Sequence, residues 1–194
     1  MDPRVTTVEA WLLDNERLML YAMIRSLTPK RILEIGTYKG GSATIMACAL
    51  DDQKVEDAKI VTMNPNPEQC DMGLLKSVAH RVTLLPKASP AALGEARDML
   101  GGRINFCFID GDHTTDPVYR DLCGIFPHLD YGATVLMHDG LYYQVQEATD
   151  LFVLAYPQMV DFGLITLQAC WSEPEKTNYA GFRLLKRRQA DGRA

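Results

Sequence analysis

A three-layer α/β sandwich, with a mostly parallel seven-stranded sheet and an antiparallel hairpin at its C-terminal edge, is the fold this sequence predicts. Three observations carry it. From residue 31 onward, short β-branched and aliphatic runs alternate with stretches of helical periodicity, the pattern of strand, crossover helix and parallel strand. The first run breaks into a glycine-rich turn, R-I-L-E-I-G-T-Y-K-G-G-S over 31–42, and a helix follows. Two later runs end in clustered acids and histidines, F-C-F-I-D-G-D-H and A-T-V-L-M-H-D-G.

In chain order, residues 1–28 are expected to form N-terminal helices, with Thr6 and Glu9 spaced as a capping box and Leu12, Leu13, Leu18, Leu20, Met23 and Ile24 among the apolar face. Ile32, Leu33 and Ile35 then mark the first strand, and 42–50 the helix after the glycine turn. Beyond it the pattern predicts a strand at 59–63, a helix at 68–79, a strand at 81–85 and a helix at 91–100. A strand at 104–110, a helix at 116–129 and a strand at 133–138 follow. Val118, Leu122, Ile125 and Phe126 recur at spacings that build one helix face. Strand-like segments at 160–169 and 180–186 supply the hairpin, and 187–194 is expected to be a disordered tail.

With 194 residues, 47% of them hydrophobic, residues 1–194 have room for one well-buried core and one domain. The net charge of −5 argues against a general nucleic-acid binder, which needs clustered Lys and Arg on phosphates. The short basic run Lys186, Arg187, Arg188 reads as the solvated end of the last strand. Five cysteines without C-x-x-C spacing suit reduced thiols and indicate neither a disulfide framework nor a zinc site. No stretch approaches the ~20 apolar residues of a membrane span, and the charged N-terminus lacks a signal-peptide pattern. A cytoplasmic protein is expected, and a homodimer is the default assembly.

The chemistry concentrates where strands end. Gly36, Gly40 and Gly41 allow a tight turn and close approach of backbone to a ligand, and the helix after them offers free N–H groups. The spacing G-x-x-x-G-G differs from both the Walker A loop and the dinucleotide fingerprint. An acid at Glu34 and a hydroxyl at Ser42 suit a cofactor with an amino-acid head and a sulfonium but no pyrophosphate. Asp110, Asp112 and His113 follow one strand, and His138 and Asp139 another. Carboxylates held this close repel unless a cation or hydrogen-bond donors compensate. Asp110 and Asp139 are therefore candidate Mg²⁺ ligands. His113 is the candidate base, because an imidazole titrates near neutral pH.

Over roughly residues 8–145 the chain resembles the class I S-adenosylmethionine-dependent methyltransferases, with their Rossmann-like fold. Within them it is similar to the catechol O-methyltransferase-like enzymes and the bacterial sugar and macrolide O-methyltransferases. The resemblance lies in I-L-E-I-G-T-Y-K-G-G-S-A, I-V-T-M-N-P-N-P, and the pair F-I-D-G-D-H and T-V-L-M-H-D. It implies that Glu34, Gly36, Tyr38, Gly40 and Ser42 line the methionine end of S-adenosylmethionine and that Ser89 lies near the adenine. Asn64 stands where relatives carry an acid for the ribose hydroxyls. Asp110 and Asp139 fall at the metal carboxylates, with Asp110 also beside the cofactor, and His113 at the base.

The implied reaction is methyl transfer to a hydroxyl of a small molecule, aided by positioning and by a metal. Gly140 occupies the place of an asparagine ligand, so the metal set is short of a side chain unless His138 or Asp112 supplies it. Two alternatives stand beside this one: a hydroxylase acting on an antibiotic precursor, and a cofactor-binding or scaffold subunit without methyl transfer. The acceptor is not legible. Tyr142, Tyr143 and Trp171 are candidate pocket walls.

Overall fold

Side chains alternate across each strand, and that alternation divides the core into two faces. The computed structural model describes residues 1–166 and 181–190. Its strands are β1 (Arg31–Ile35), β2 (Lys59–Met63), β3 (Val82–Leu85), β4 (Ile104–Ile109), β5 (Leu129–Met137), β6 (Met159–Leu164) and β7 (Arg183–Arg187). They form one seven-stranded sheet in the order β3-β2-β1-β4-β5-β7-β6. The first five strands pair in parallel, while β7 runs antiparallel to both β5 and β6.

The helices are α1 (Arg4–Thr7), α2 (Asp14–Leu27), α3 (Gly41–Asp52), α4 (Met72–Ser77), α5 (Leu93–Leu100), α6 (Thr115–Ile125) and α7 (Tyr143–Ala155). On one face Leu33, Ile35, Val61, Cys107, Ile109 and Val135 pack with Leu93, Leu122, Ile125, Ala148 and Phe152 of α5, α6 and α7. On the other, Ile32, Ile60, Phe106, Phe108 and Leu136 pack with Leu20 and Ile24 of α2 and Ile45 and Cys48 of α3. No helix among the described residues is long and apolar enough to cross a membrane.

Register brings the strand ends together. Ile35 is paired with both Met63 and Ile109, and Ile109 with Met137. The next residues, Gly36, Asn64, Asp110 and His138, therefore form a row just beyond the sheet. Each continues the ladder by one bond: Gly36 N–H to Met63 O at 3.0 Å, Asn64 N–H to Leu85 O at 3.2 Å, Asp110 N–H to Ile35 O at 2.8 Å and His138 N–H to Ile109 O at 2.9 Å. By the same alternation, Asp110 and His138 follow Phe108 and Leu136 onto the α2 face.

Several elements differ from the sequence expectation. The helix over 68–79 is a 3₁₀ turn (Pro67–Gln69) followed by α4, whose start is capped by the Asp71 carboxylate accepting from Leu74 N–H at 3.0 Å. The helix over 116–129 stops at Ile125. Pro127 lies in a 3₁₀ turn, and Leu129 already belongs to β5, which starts four residues before the expected 133. Thr6 lies inside α1, and its hydroxyl donates to Pro3 O. The carboxylate that caps the principal N-terminal helix is Glu16, which accepts from Leu13 N–H at 2.9 Å.

Helix α7 was not anticipated, and Tyr143 opens it instead of lining a loop. The tail does not begin at 187. Arg187 pairs with Met159 in the sheet, donates to Leu129 O at 2.6 Å and lies 4.7 Å from the Phe126 ring centre. The expected strand residues 167–169 and 180, the aromatic Trp171 and the tail residues 191–194 lie outside the described residues. Cys48, Cys70, Cys107 and Cys123 are free thiols.

Candidate active site

The glycine turn makes a buried polar knot beneath the rim. Glu34 points to the α2 and α3 face, fully buried, where it accepts from the Ser42 hydroxyl at 2.5 Å and from the Thr62 hydroxyl. Thr62 also shares a 2.6 Å bond with Thr37. Burial raises the Glu34 carboxyl to about 7 against the opposing bonds from Ser42 and Thr62, and the nearby Asp110 charge adds to the rise. Glu34 therefore lies inside β1 rather than at its rim, bound to Ser42 of α3.

Each glycine here answers to a neighbour. A Cβ on Gly36, at φ +98°, would lie 1.9 Å from Asp110 O, so this glycine lets the ends of β1 and β4 meet. A Cβ on Gly41 would lie 2.2 Å from Glu9 O. Gly40, at φ +88°, precedes α3 without a side-chain cap, which leaves first-turn N–H groups of the helix for a ligand.

Residues Glu9 to Leu12 lie over this turn as a strap. Arg17 of α2 holds it by donating to Val8 O at 2.6 Å, Ala10 O at 2.7 Å and Leu12 O at 3.0 Å. The Trp11 ring sits 5.1 Å from that of Tyr38. A cavity of about 30 Å³ remains between the strap, Gly36, Thr37, Gly41, Ser42 and Asp110. That is room for little more than a water.

Asn64 follows the end of β2, and Ser89 lies beyond the end of β3. The Asn64 carbonyl accepts from Asn66 N–H at 3.0 Å, and its amide donates weakly to Cys70 Sγ at 3.7 Å. The carbonyl bond, which a carboxylate could also accept, shapes the loop, while the weak bond to Cys70 needs the amide. Ser89 Oγ is buried beside Asp121 and makes no hydrogen bond of regular geometry.

Beyond β4 and β5 a second cluster forms. His113 Nε2 is 2.9 Å from Asp139 Oδ2 and 3.5 Å from Asp110 Oδ1. His138 Nδ1 is 3.0 Å from Asp110 Oδ1 and 3.3 Å from Asp139 Oδ2, and its Nε2 is 3.3 Å from Glu16 Oε2. Asp139 adopts φ +49°, a strained conformation for a non-glycine residue and one that often marks functional sites.

Burial alone would raise the Asp110 and Asp139 carboxyls, yet the two histidines hold both below the usual range. Asp110 and then Asp139 raise His113 to about 9. His138, which burial alone would discharge, is held well above its ordinary value by Asp110, Asp139 and Glu16. The expectation that His113 titrates near neutrality is therefore not met. Between its two carboxylates it carries a proton at pH 7.

Of the two side chains named in place of the one missing at 140, the cluster holds one. Asp112 turns away, its carboxylate accepting from Thr114 N–H at 2.7 Å and the Thr114 hydroxyl at 2.5 Å. His138 joins the cluster instead. A Cβ on Gly140 would lie 2.9 Å from both Arg183 Cβ and Leu164 Cδ2. Sequence reasoning missed Glu16 and Arg17 as site residues. Their one signal was polar side chains early in an amphipathic helix, and what they contact is fixed only by the packing of α2 on the sheet.

Fold and rim together define a Rossmann-like α/β protein, of the kind whose ligands lie beyond the carboxyl ends of parallel strands. Residues 33–140 match the methyltransferase domain family, and the chain belongs to that family. It is 32% identical over 120 residues to caffeoyl-CoA O-methyltransferase of Pinus taeda, covering 57% of this chain and 45% of that protein. It is likewise 32% identical over 104 residues to caffeoyl-CoA O-methyltransferase 1 of Arabidopsis thaliana, covering 50% and 39%. The matched stretch thus spans less than half the length of these relatives.

Among solved structures, an O-methyltransferase from Bacillus cereus in complex with SAH is similar at a TM-score of 0.70 and 18% identity, over 88% of this chain and 79% of that one. TomG from Streptomyces achromogenes, an O-methyltransferase involved in tomaymycin synthesis and solved with SAM, gives 0.68 and 20%, over 88% and 78%. At such identities the likeness shows the fold.

Proposed function

We propose that this chain transfers a methyl group from S-adenosylmethionine to a hydroxyl oxygen of a small molecule, with residues 1–194 acting as one catalytic domain. One observation carries the reading. The glycine turn and the uncapped start of α3 share a cavity with Asp110, and Asp110 is at the same time part of the Asp/His cluster beyond β4 and β5. A methyl donor on one side of Asp110 and an acceptor on the other would be adjacent.

The donor set fits the cofactor. The free N–H groups at the start of α3 suit a carboxylate, and Asp110 suits the ammonium or sulfonium beside it. Asn64 has an amide to offer ribose hydroxyls, though Asn66 already takes one lone pair of its carbonyl. When bound, the cofactor supplies an electrophilic methyl on a sulfonium. The strap over 9–12 has to yield to admit it, and Arg17 sets how readily it does. Asp110 and Asp139 would accept the hydrogen bond of the acceptor hydroxyl and take up the proton it loses on becoming an ether, and His113 and His138 hold those carboxylates in place. The chain's catalytic contribution is alignment of the oxygen with the methyl and exclusion of water by the strap.

Magnesium does not fit as well. Two of the four convergent donors are imidazole nitrogens, whereas Mg²⁺ takes oxygen ligands in octahedral array. The curated relatives named for caffeoyl-CoA make a phenolic hydroxyl the first acceptor class to try.

Calorimetric titration of the metal-free chain with S-adenosylhomocysteine tests the reading without an acceptor. Saturable one-site binding, followed by methyl transfer from labelled donor to a panel of phenols and sugars, is the expected result. A folded chain that binds no S-adenosylhomocysteine overturns it.

A further inference from the structure

Residues 9–12 cross the start of α3 at contact distance. A Cβ added to Gly41, the first residue of that helix, would lie 2.2 Å from Glu9 O and 2.5 Å from Ala10 Cβ. The strap therefore lies directly over the first turn of α3. The cavity it leaves there is about 30 Å³, whereas pockets that hold drug-sized ligands run to about 300–1,000 Å³.

What holds the strap down is narrow. Val5 and Leu12 are buried and bracket it, while Trp11 is 75% exposed. Among the described residues, 9–12 form no backbone-to-backbone hydrogen bond. One side chain supplies the restraint instead. The Arg17 guanidinium gathers the carbonyls of Val8, Ala10 and Leu12 at 2.6, 2.7 and 3.0 Å. Its rigid fork of five donors suits three carbonyls at once, which the single ammonium of a lysine does not. The Trp11 ring adds its contact with Tyr38 of the glycine turn. A segment with so few backbone bonds and so little apolar burial opens at low free energy once its restraint is released.

We propose that residues 9–12 are a gate latched by Arg17, which opens before S-adenosylmethionine enters and again before S-adenosylhomocysteine leaves. The inference rests on the methyltransferase reading and adds to it what sets the rate of cofactor exchange. Arg17 is a positioning residue and touches only the strap. A latch restrains the strap whether or not a ligand lies beneath it, so weakening the latch speeds entry and exit together and leaves affinity nearly unchanged. A residue that bound the cofactor would change affinity, chiefly through the rate of exit.

The test is stopped-flow mixing of the chain with S-adenosylhomocysteine, followed by tryptophan fluorescence, with release read by chasing labelled ligand with unlabelled. The observed rate of binding should rise with ligand concentration and level off at the rate of opening. Arg17→Met should raise that ceiling and the release rate by roughly tenfold or more each, with Kd changed less than about threefold. Arg17→Lys, which keeps the charge but spans fewer carbonyls, should fall in between. Gly41→Ala suits a helix yet presses on Glu9 O, and should raise the ceiling with Arg17 intact. Rates that climb linearly to millimolar ligand, an unchanged or lowered ceiling in both Arg17 variants, or a loss of affinity without faster entry each overturn the gate. Those outcomes leave the methyltransferase reading standing. A folded chain that binds no S-adenosylhomocysteine overturns both.

Discussion

The two halves of the rim solve the problem of buried polarity in opposite ways. Beneath the glycine turn, Glu34, Ser42, Thr62 and Thr37 bond to one another, and the knot is closed on itself. Beyond β4 and β5, His113 and His138 are paired with Asp110 and Asp139 as ions, at 2.9 to 3.5 Å. Neutral hydroxyls close the first half by hydrogen bonds, whereas opposite charges hold the second half together. Asp110 belongs to both halves, its carbonyl packed against Gly36 and its carboxylate in the cluster.

That division can be broken at its seam. Gly36→Val should have the largest effect, because a Cβ 1.9 Å from Asp110 O forces the ends of β1 and β4 apart. The expected loss is more than about 3 kcal/mol of stability in urea unfolding, and a stable Gly36→Val chain would show that the two halves are not mechanically joined. Asp110→Ala removes only the carboxylate. It should cut methyl transfer by roughly a thousandfold or more, while S-adenosylhomocysteine affinity falls less than tenfold. Equal losses in both would merge the two halves into one site.

Glu34→Gln probes the closed knot. The folded carboxyl titrates at about 7 against about 4.5 when unfolded, so the folded state keeps a proton that the unfolded state releases in between. Stability from this residue is full below about pH 4.5 and is lost as pH rises to about 7. The variant should flatten that decline by on the order of 3 kcal/mol, read from urea unfolding at pH 5 and 7.5. No flattening would mean that the knot is not as dry as its burial indicates.

Two smaller effects sharpen the contrast. Asn64→Asp should tighten S-adenosylhomocysteine binding roughly fivefold through a charge-assisted bond. Weaker binding would assign Asn64 to its loop alone. Gly94→Ala in α5 meets no atom within 4 Å and should stabilise the chain by about 0.5–1 kcal/mol with both sites untouched.

Much of this was legible in the sequence. Short apolar runs ending in G-T-Y-K-G-G, D-G-D-H and H-D-G announce buried parallel strands and the rim beyond them, because the run and its turn are local signals and the carboxyl-end rule follows from topology. Local signals failed where a neighbour in space overruled them. Pro127 and Leu129 end a helix that periodicity extended, and β5 draws Leu129 into the sheet. The pairing of Arg187 with Met159 draws the first residue of the expected tail into β7, between β5 and β6.

The chain's own order of residues determined the sheet, the glycine turn and the titratable groups at the strand ends. Tertiary structure alone decided which of those groups meet. Strand register aligned Gly36, Asn64, Asp110 and His138 in a row, and alternation turned Asp110 and His138 toward α2. There Glu16, 122 residues distant in sequence from His138, reaches the ring. Such a contact has no signature in either segment, because it exists only once hydrophobic packing has laid the N-terminal helix across the sheet.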